Sequence, residues 1–172
     1  MTKRRNLIAV LFATVLSTVF VLSGALPAQA AAPFEIFNYG SAMCIQPPPG
    51  NLTIGAQLVQ EPCTGAPEQR WNTIPLGSDK YRLVNQSTFG CMDAHGPSAD
   101  GTPVDTWPCA GISNQVWTAS QTLPHRFSPF TLKSAVGGKC LDVEGGSKIA
   151  GATLRIWTCN GTPAQGFGND ID

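Results

Sequence analysis

An all-β fold assembled from three copies of one unit is what this 172-residue sequence predicts, on three observations. Two cysteines, a glycine and a Gln-x-aromatic recur in fixed order: Cys44, Gly55, Cys63, Gln69, Trp71; then Cys91, Gly101, Cys109, Gln115, Trp117; then Cys140, Gly151, Cys159, Gln165, Phe167. In every copy the glycine precedes the second cysteine by eight residues and the glutamine follows it by six. Apolar residues between these markers alternate, no helical period is sustained, and 18 Gly and 14 Pro break any long helix. A period of about fifty residues means one supersecondary unit used several times.

The chain opens with Lys3, Arg4 and Arg5, an apolar run from Leu7 to Leu26, then Pro27 and Ala28-Gln29-Ala30. Basic, apolar and A-x-A segments in that order are expected of a secretory signal peptide over residues 1–30. The competing reading is a single membrane anchor, since the run is about long enough to span a bilayer; Gly24, Pro27 and the A-x-A site favour cleavage. Residues 31–172 then form one exported, extracellular domain, expected to be a monomer. Cleavage removes three of eleven basic residues and none of the eleven acidic ones, leaving a net charge of −3. That balance argues against nucleic acid and against an anionic membrane as partners.

Within this domain the copies run over about 34–80, 81–129 and 130–172. Each begins with an alternating pair ahead of its first cysteine: Phe34 and Ile36, Tyr81 and Leu83, Phe130 and Leu132. Followed by Gly or Ser and then Cys, such a run reads as a β-hairpin. A further strand follows each glycine, over 57–61, 104–107 and 154–157, and another starts at each Gln-x-aromatic, giving about four strands per copy. The six cysteines of an exported chain point to disulfides. Of fifteen pairings the repeat favours Cys44–Cys63, Cys91–Cys109 and Cys140–Cys159, one per copy. The absence of any C-x-x-C speaks against zinc, and no metal or cofactor is expected.

Repeats carrying C-[ILM]-[DQ], a Gly-led strand ending in x-Cys and Q-x-[WF] resemble the ricin-type β-trefoil lectins, from about Phe34 to Phe167. Cys140-Leu141-Asp142-Val143 and Cys159-Asn160-Gly161 are similar to modules of secreted bacterial glycoside hydrolases. The resemblance implies a six-stranded barrel capped by three hairpins, with Trp71, Trp117 and Phe167 packed about the pseudo-threefold axis. Phe in place of Trp, and the weak strand Gly168 to Asp172, make the third unit the expected least stable. The strand around Phe34–Phe37 would complete that unit's hairpin layer.

The same resemblance implies one shallow sugar pocket per copy. It uses Asp two residues after the first cysteine, an aromatic two before the second, and Asn ahead of the repeat glutamine. The chemistry suits a pyranose, whose C–H face needs an aromatic surface and whose hydroxyls need fixed polar groups. The second copy matches throughout, with Asp93, Trp107, Asn114 and Gln115. Strand alternation sets Asp105 and Trp107 on the face opposite Val104 and Thr106. Competing readings are core filling for Trp107 and turn capping for Asp93; His95 reads as surface decoration. The third copy keeps Asp142, Trp157 and Gln165, has Ala164 in place of Asn, and offers Asn160 as a substitute; weaker binding is expected there. The first has Gln46 and Glu61 instead, so no binding is expected. Gln69, retained without a pocket, makes a bracing role for all three glutamines an equal reading.

His95 and His125 lie in no metal-ligand spacing, and no G-x-S-x-G elbow, phosphate loop or paired glycosidase carboxylates stand out. The expected function is therefore a secreted carbohydrate-binding protein for galactose- or xylose-type sugars, without catalysis. Alternatives are a protein-binding or protease-inhibiting trefoil using the Pro47-Pro48-Pro49 loop, and a small hydrolase with an unrecognised site. Sequons begin at Asn51, Asn85 and Asn160.

Overall fold

The computed structural model describes residues 32–124 and 129–170, which carry twelve short strands and no α-helix. The expected signal peptide lies outside the described residues. The first copy supplies β1 (Phe34–Asn38), β2 (Cys44–Gln46), β3 (Val59–Glu61) and β4 (Arg70–Gly77). The second supplies β5 (Lys80–Asn85), β6 (Cys91–Ala94), β7 (Thr102–Trp107) and β8 (Trp117–Ala119). The third supplies β9 (Leu132–Ser134), β10 (Cys140–Val143), β11 (Leu154–Trp157) and β12 (Phe167–Asp170). The strands are short because turns intervene every few residues; burial alternates in β1, where Phe34 and Ile36 point inward, whereas β2, β6 and β10 are buried at every position.

The first and last strands of each copy close a six-membered ring, β1-β4-β5-β8-β9-β12, which returns to β1. The third copy closes through a reciprocal pair of 2.8 Å backbone hydrogen bonds between Phe130 and Phe167, while β8 and β9 join the second copy to the third. The hairpins β2–β3, β6–β7 and β10–β11 cap one end and touch one another through Gln57↔Asp105, Pro103↔Arg155 and Val59↔Thr153. This is the β-trefoil. Ring closure leaves no open barrel edge, which removes the pairing liability of an edge strand.

The repeat glycine serves these hairpin contacts. Gly55 N–H donates to Thr106 O, Gly101 to Ile156 O and Gly151 to Gln60 O, at 2.8, 3.0 and 2.9 Å, each crossing to another copy. The three have φ of +90°, +86° and +82°, a region glycine enters without steric cost.

The core is filled threefold. Phe34, Tyr81 and Phe130 enter from the first strands, and Trp71, Trp117 and Phe167 from the Gln-x-aromatic positions, all buried. Two indoles also satisfy carbonyls of their own hairpins, Trp71 Nε1 donating to Ile45 O at 3.1 Å and Trp117 Nε1 to Met92 O at 2.9 Å. Phe167 has no such donor. The segment after it, expected as a weak strand, pairs along its described length with β1, from Asn38↔Phe167 to Glu35↔Asp170. Gly168 belongs there because any side chain would run into the Phe37 ring. Three disulfides join the expected partners, Cys44–Cys63, Cys91–Cys109 and Cys140–Cys159, each contributing about 3 kcal/mol in the chain-entropy model.

The structure adds four single 3-10 turns that strand periodicity did not anticipate. Three carry the repeat glutamine, at Pro67–Gln69, Ser113–Gln115 and Pro163–Gln165, and the fourth is Glu144–Gly146. Among the described residues no helix is long and apolar enough to cross a membrane.

Replacing Trp117 with Phe removes one buried hydrogen bond and some volume, and is expected to lower stability by about 1–3 kcal/mol. Guanidinium denaturation with the disulfides intact measures it; an unchanged midpoint would show that the indole N–H contributes nothing.

Candidate functional site

Each capping hairpin presents an equivalent outward face. In β6–β7 the cross-strand pairs are Cys91↔Trp107 and Asp93↔Asp105; in β10–β11 they are Cys140↔Trp157 and Asp142↔Arg155; in β2–β3 they are Cys44↔Glu61 and Gln46↔Val59. The pleat thus sets the pocket acid and the aromatic on neighbouring positions of one ladder. Inward residues hold them there: Val104 and Thr106 are buried beneath Trp107, and Leu154 and Ile156 beneath Trp157. Trp107 is 38% exposed, which excludes core filling.

The repeat glutamines form one brace three times. Gln115 donates through Nε2 to Asp93 Oδ2 at 3.0 Å and Pro108 O at 2.8 Å, and its Oε1 accepts Ala110 N–H at 2.9 Å. Gln165 does the same with Asp142 Oδ2 at 3.0 Å, Thr158 O at 3.1 Å and Asn160 N–H at 2.8 Å. Gln69 uses Gln46 Oε1 at 2.7 Å, Pro62 O at 2.8 Å and Thr64 N–H at 2.7 Å. All three are buried with both amide hydrogens committed. Gln115 and Gln165 thus hold Asp93 and Asp142 in place and tie together the chain on either side of the second cysteine.

Around the third copy these residues open a hollow of about 600 Å³, lined by Asp142, Trp157 and Asn160 together with Tyr39, Lys148 and Arg155. Asp142 Oδ1 accepts from Arg155 Nε at 3.1 Å, and the same guanidinium lies 4.0 Å from the Trp157 ring centroid and pairs with Glu144 at 3.2 Å. One face of Trp157 is thus held by a cation–π contact. Asn160 Oδ1 accepts from Thr162 N–H at 3.0 Å, fixing an Asx turn at the rim.

The second hollow is smaller, about 340 Å³, and is lined by Gly55, Gln57, His95, Pro103, Asp105 and Trp107. Asp93 lies buried beside Asp105. Asn114 is not on its lining; its Nδ2 donates to Ala94 O at 3.0 Å. His95 is no surface decoration: its Nδ1 sits 3.1 Å from Asp105 Oδ2, and its ring meets Trp107 edge to face at 4.5 Å. Burial raises the pKa of Asp93, with the Gln115 hydrogen bond and His95 opposing. Burial also raises that of Asp105, with the Asp93 charge adding and His95 opposing. A Cβ at Gly55 would come within 3.0 Å of the Trp107 ring, so a side chain there would crowd the platform. The first hollow, about 640 Å³, is lined by Gln46, Glu61, Pro49 and Leu52 among others and contains no aromatic residue.

Sequence reasoning missed Asp105, His95, Arg155, Lys148 and Tyr39. Alternation set Asp105 on the outward face with Trp107, and the same signal applied to residues 154–157 identifies Arg155 beside Trp157. Tyr39 carried none: it reaches the third hollow because ring closure brings its N–H to Gly166 O at 2.9 Å.

A family model described as the ricin-type beta-trefoil lectin domain matches residues 32–167. Among curated proteins none matches by sequence. The designed three-fold symmetric protein ThreeFoil is similar over 81% of this chain and 99% of its own, with 23% identity and a TM-score of 0.75. The exo-β-1,3-galactanase from Clostridium thermocellum is similar over 86% of this chain but 31% of its own, with 21% identity and a TM-score of 0.76. The C-half of an earthworm R-type lectin, solved in complex with GalNAc, is similar over 81% of this chain and 98% of its own, with 19% identity and a TM-score of 0.64.

Gln69→Ala and Gln115→Ala are each expected to cost about 2–4 kcal/mol, because each leaves buried partners unsatisfied. Equilibrium unfolding of the two variants checks this. A loss at Gln115 without one at Gln69 would contradict a shared bracing role.

Proposed function

Because this chain belongs to the ricin-type β-trefoil lectin domain family, we propose that it is a secreted, non-catalytic carbohydrate-binding protein for galactose- or xylose-type sugars of polysaccharides. The observation that carries this is the third hollow, where Trp157, Asp142 and Asn160 converge on a space of about 600 Å³, within the size range of small-molecule sites. The tryptophan supplies a stacking surface for the C–H face of a pyranose. An ionised carboxylate has about four acceptor positions, and Asp142 commits two of them, to Arg155 and Gln165. The others suit sugar hydroxyls. Arg155 holds both the acid and the ring, so the two elements are preorganised together.

The second hollow is the other proposed sugar site, through Trp107, which lines it, with Asp93 on the rung shared with its lining residue Asp105. The third was expected to be weaker because Ala164 replaces Asn. Asn114, however, is committed to Ala94 O and lies off the hollow, so its loss in the third copy forfeits little. The third copy is therefore assigned the tighter site. Single pockets of this shallow type gain mainly by engaging a polymer at two points on one rigid body. The first hollow is comparable in volume but lacks an aromatic and an acid at the equivalent positions, and is assigned no sugar. Three disulfides suit an oxidising, extracellular setting.

Retention on immobilised galactan and xylan, with calorimetry against galactose, lactose and xylose oligomers, tests the reading. Trp157→Ala is expected to reduce binding at least about tenfold, matching the loss of a stacked ring plus its desolvated area. Trp107→Ala should reduce it less, and Glu61→Ala should leave it unchanged. No retention of wild-type protein on any glycan, or equal losses at all three positions, would overturn the proposal.

A further inference from the structure

The three equivalent hairpin faces differ in how their buried charge is balanced. In the first, Gln46 faces Val59 and there is no charge; in the third, Asp142 faces Arg155 and the two form an ion pair at 3.1 Å. In the second, Asp93 faces Asp105. Two carboxylates, 2% and 5% exposed, are thus neighbours on one ladder with His95 beside them. Burying one ionised carboxylate is costly, and burying two side by side is more so unless a cation joins them. Asp105 is nine-tenths buried, lines the hollow, and its Oδ1 has no hydrogen-bond partner.

From this geometry we propose that Asp93, His95 and Asp105 form a binding site for one divalent first-row metal ion, with Zn2+ as the best-matched cation. Each residue offers one ligand atom, and the three atoms lie within 4.8 Å of one another. Two ligands about 2.0–2.2 Å from a tetrahedral metal stand about 3.3–3.6 Å apart, and His95 Nδ1 and Asp105 Oδ2, at 3.1 Å, are a few tenths of an ångström from that spacing. With the three atoms within 4.8 Å, closing on the ion requires the carboxylates to turn inward. The mixed donor set, one imidazole nitrogen and two carboxylate oxygens, suits zinc better than calcium, which takes oxygen ligands alone. Gln115 donating to Asp93 Oδ2 at 3.0 Å is the kind of outer hydrogen bond that orients a ligating carboxylate. His95, with a side chain 47% exposed, leaves an entry path from solvent. The site does not depend on any sugar being bound.

Calorimetric titration of the disulfide-bonded protein with ZnCl2, without sugar, tests the proposal. One equivalent of Zn2+ is expected to bind, with affinity at least about tenfold weaker in His95→Ala and in Asp105→Asn, and unchanged in Glu61→Gln. Because His95 is half-exposed, His95→Ala keeps the test decisive should Asp105→Asn fail to fold. In parallel, Mn2+ should broaden the His95 imidazole NMR resonances selectively. No binding at millimolar Zn2+, undiminished binding in His95→Ala, or Ca2+ displacing Zn2+ at equal concentration would overturn it.

Discussion

The buried glutamine six residues after each second cysteine is the interaction on which the rest depends. In the loop around the second cysteine its one side chain satisfies the backbone C=O just before that cysteine and the backbone N–H just after it, and reaches across to the residue two beyond the first cysteine. A loop of that kind cannot pair in a ladder, so its polar groups would otherwise stay buried and unsatisfied at considerable cost. The 3-10 turn exists because the chain must present the glutamine side chain inward and then send the following aromatic into the core two residues later. One short segment thereby couples barrel filling to pocket geometry. The disulfide adds a covalent closure to the same loop.

The repeat glycine has a second, separate function. Each of the three copies sends the glycine's N–H to another copy's strand, and the chain can do so only by passing through positive φ. At Gly55 the missing side chain also leaves room for the Trp107 ring. The platform of one copy is therefore bounded by backbone from the preceding one, and the sites are products of the assembled trefoil rather than of single repeats. Tyr39 makes the same point for the third hollow, since it arrives from the far end of the sequence through ring closure.

These facts explain what could be read in the sequence. Repeat number, the three disulfides, strand positions and the inward or outward sense of Val104, Trp107, Leu154 and Trp157 all follow from spacing and a period of two, which are local. The 3-10 turns did not, because nothing in alternation marks a turn made for one side chain's hydrogen bonds. Gly168 looked like a defect of the last strand and is instead demanded by the Phe37 ring packed over it. His95 looked decorative because its partner, Asp105, is a cross-hairpin neighbour rather than a sequence neighbour. Asn114 looked like a site residue, yet its hydrogen bond to Ala94 O turns it to the scaffold. Legibility fails where a residue's role is set by a copy or strand other than its own.

The first copy supplies an internal control for the role of the aspartates. There the brace is complete with a neutral acceptor, Gln46 Oε1 receiving Gln69 Nε2 at 2.7 Å. The scaffold therefore does not require a carboxylate at this position. Keeping one buried is costly, and in the second copy burial visibly disfavours the charged form of Asp93. Yet the two copies that keep the acid are the two that keep the tryptophan on the adjoining rung, while the copy that gives up one gives up both, with Gln46 facing Val59 and Glu61 facing Cys44. A carboxylate that the scaffold can replace with a neutral amide, and whose charged form burial disfavours in the second copy, is not accounted for by the scaffold alone. Its association with a solvent-accessible indole on the same face supports the proposed site at the surface of these hairpins, where a ligand with both an apolar face and hydroxyl groups would meet them.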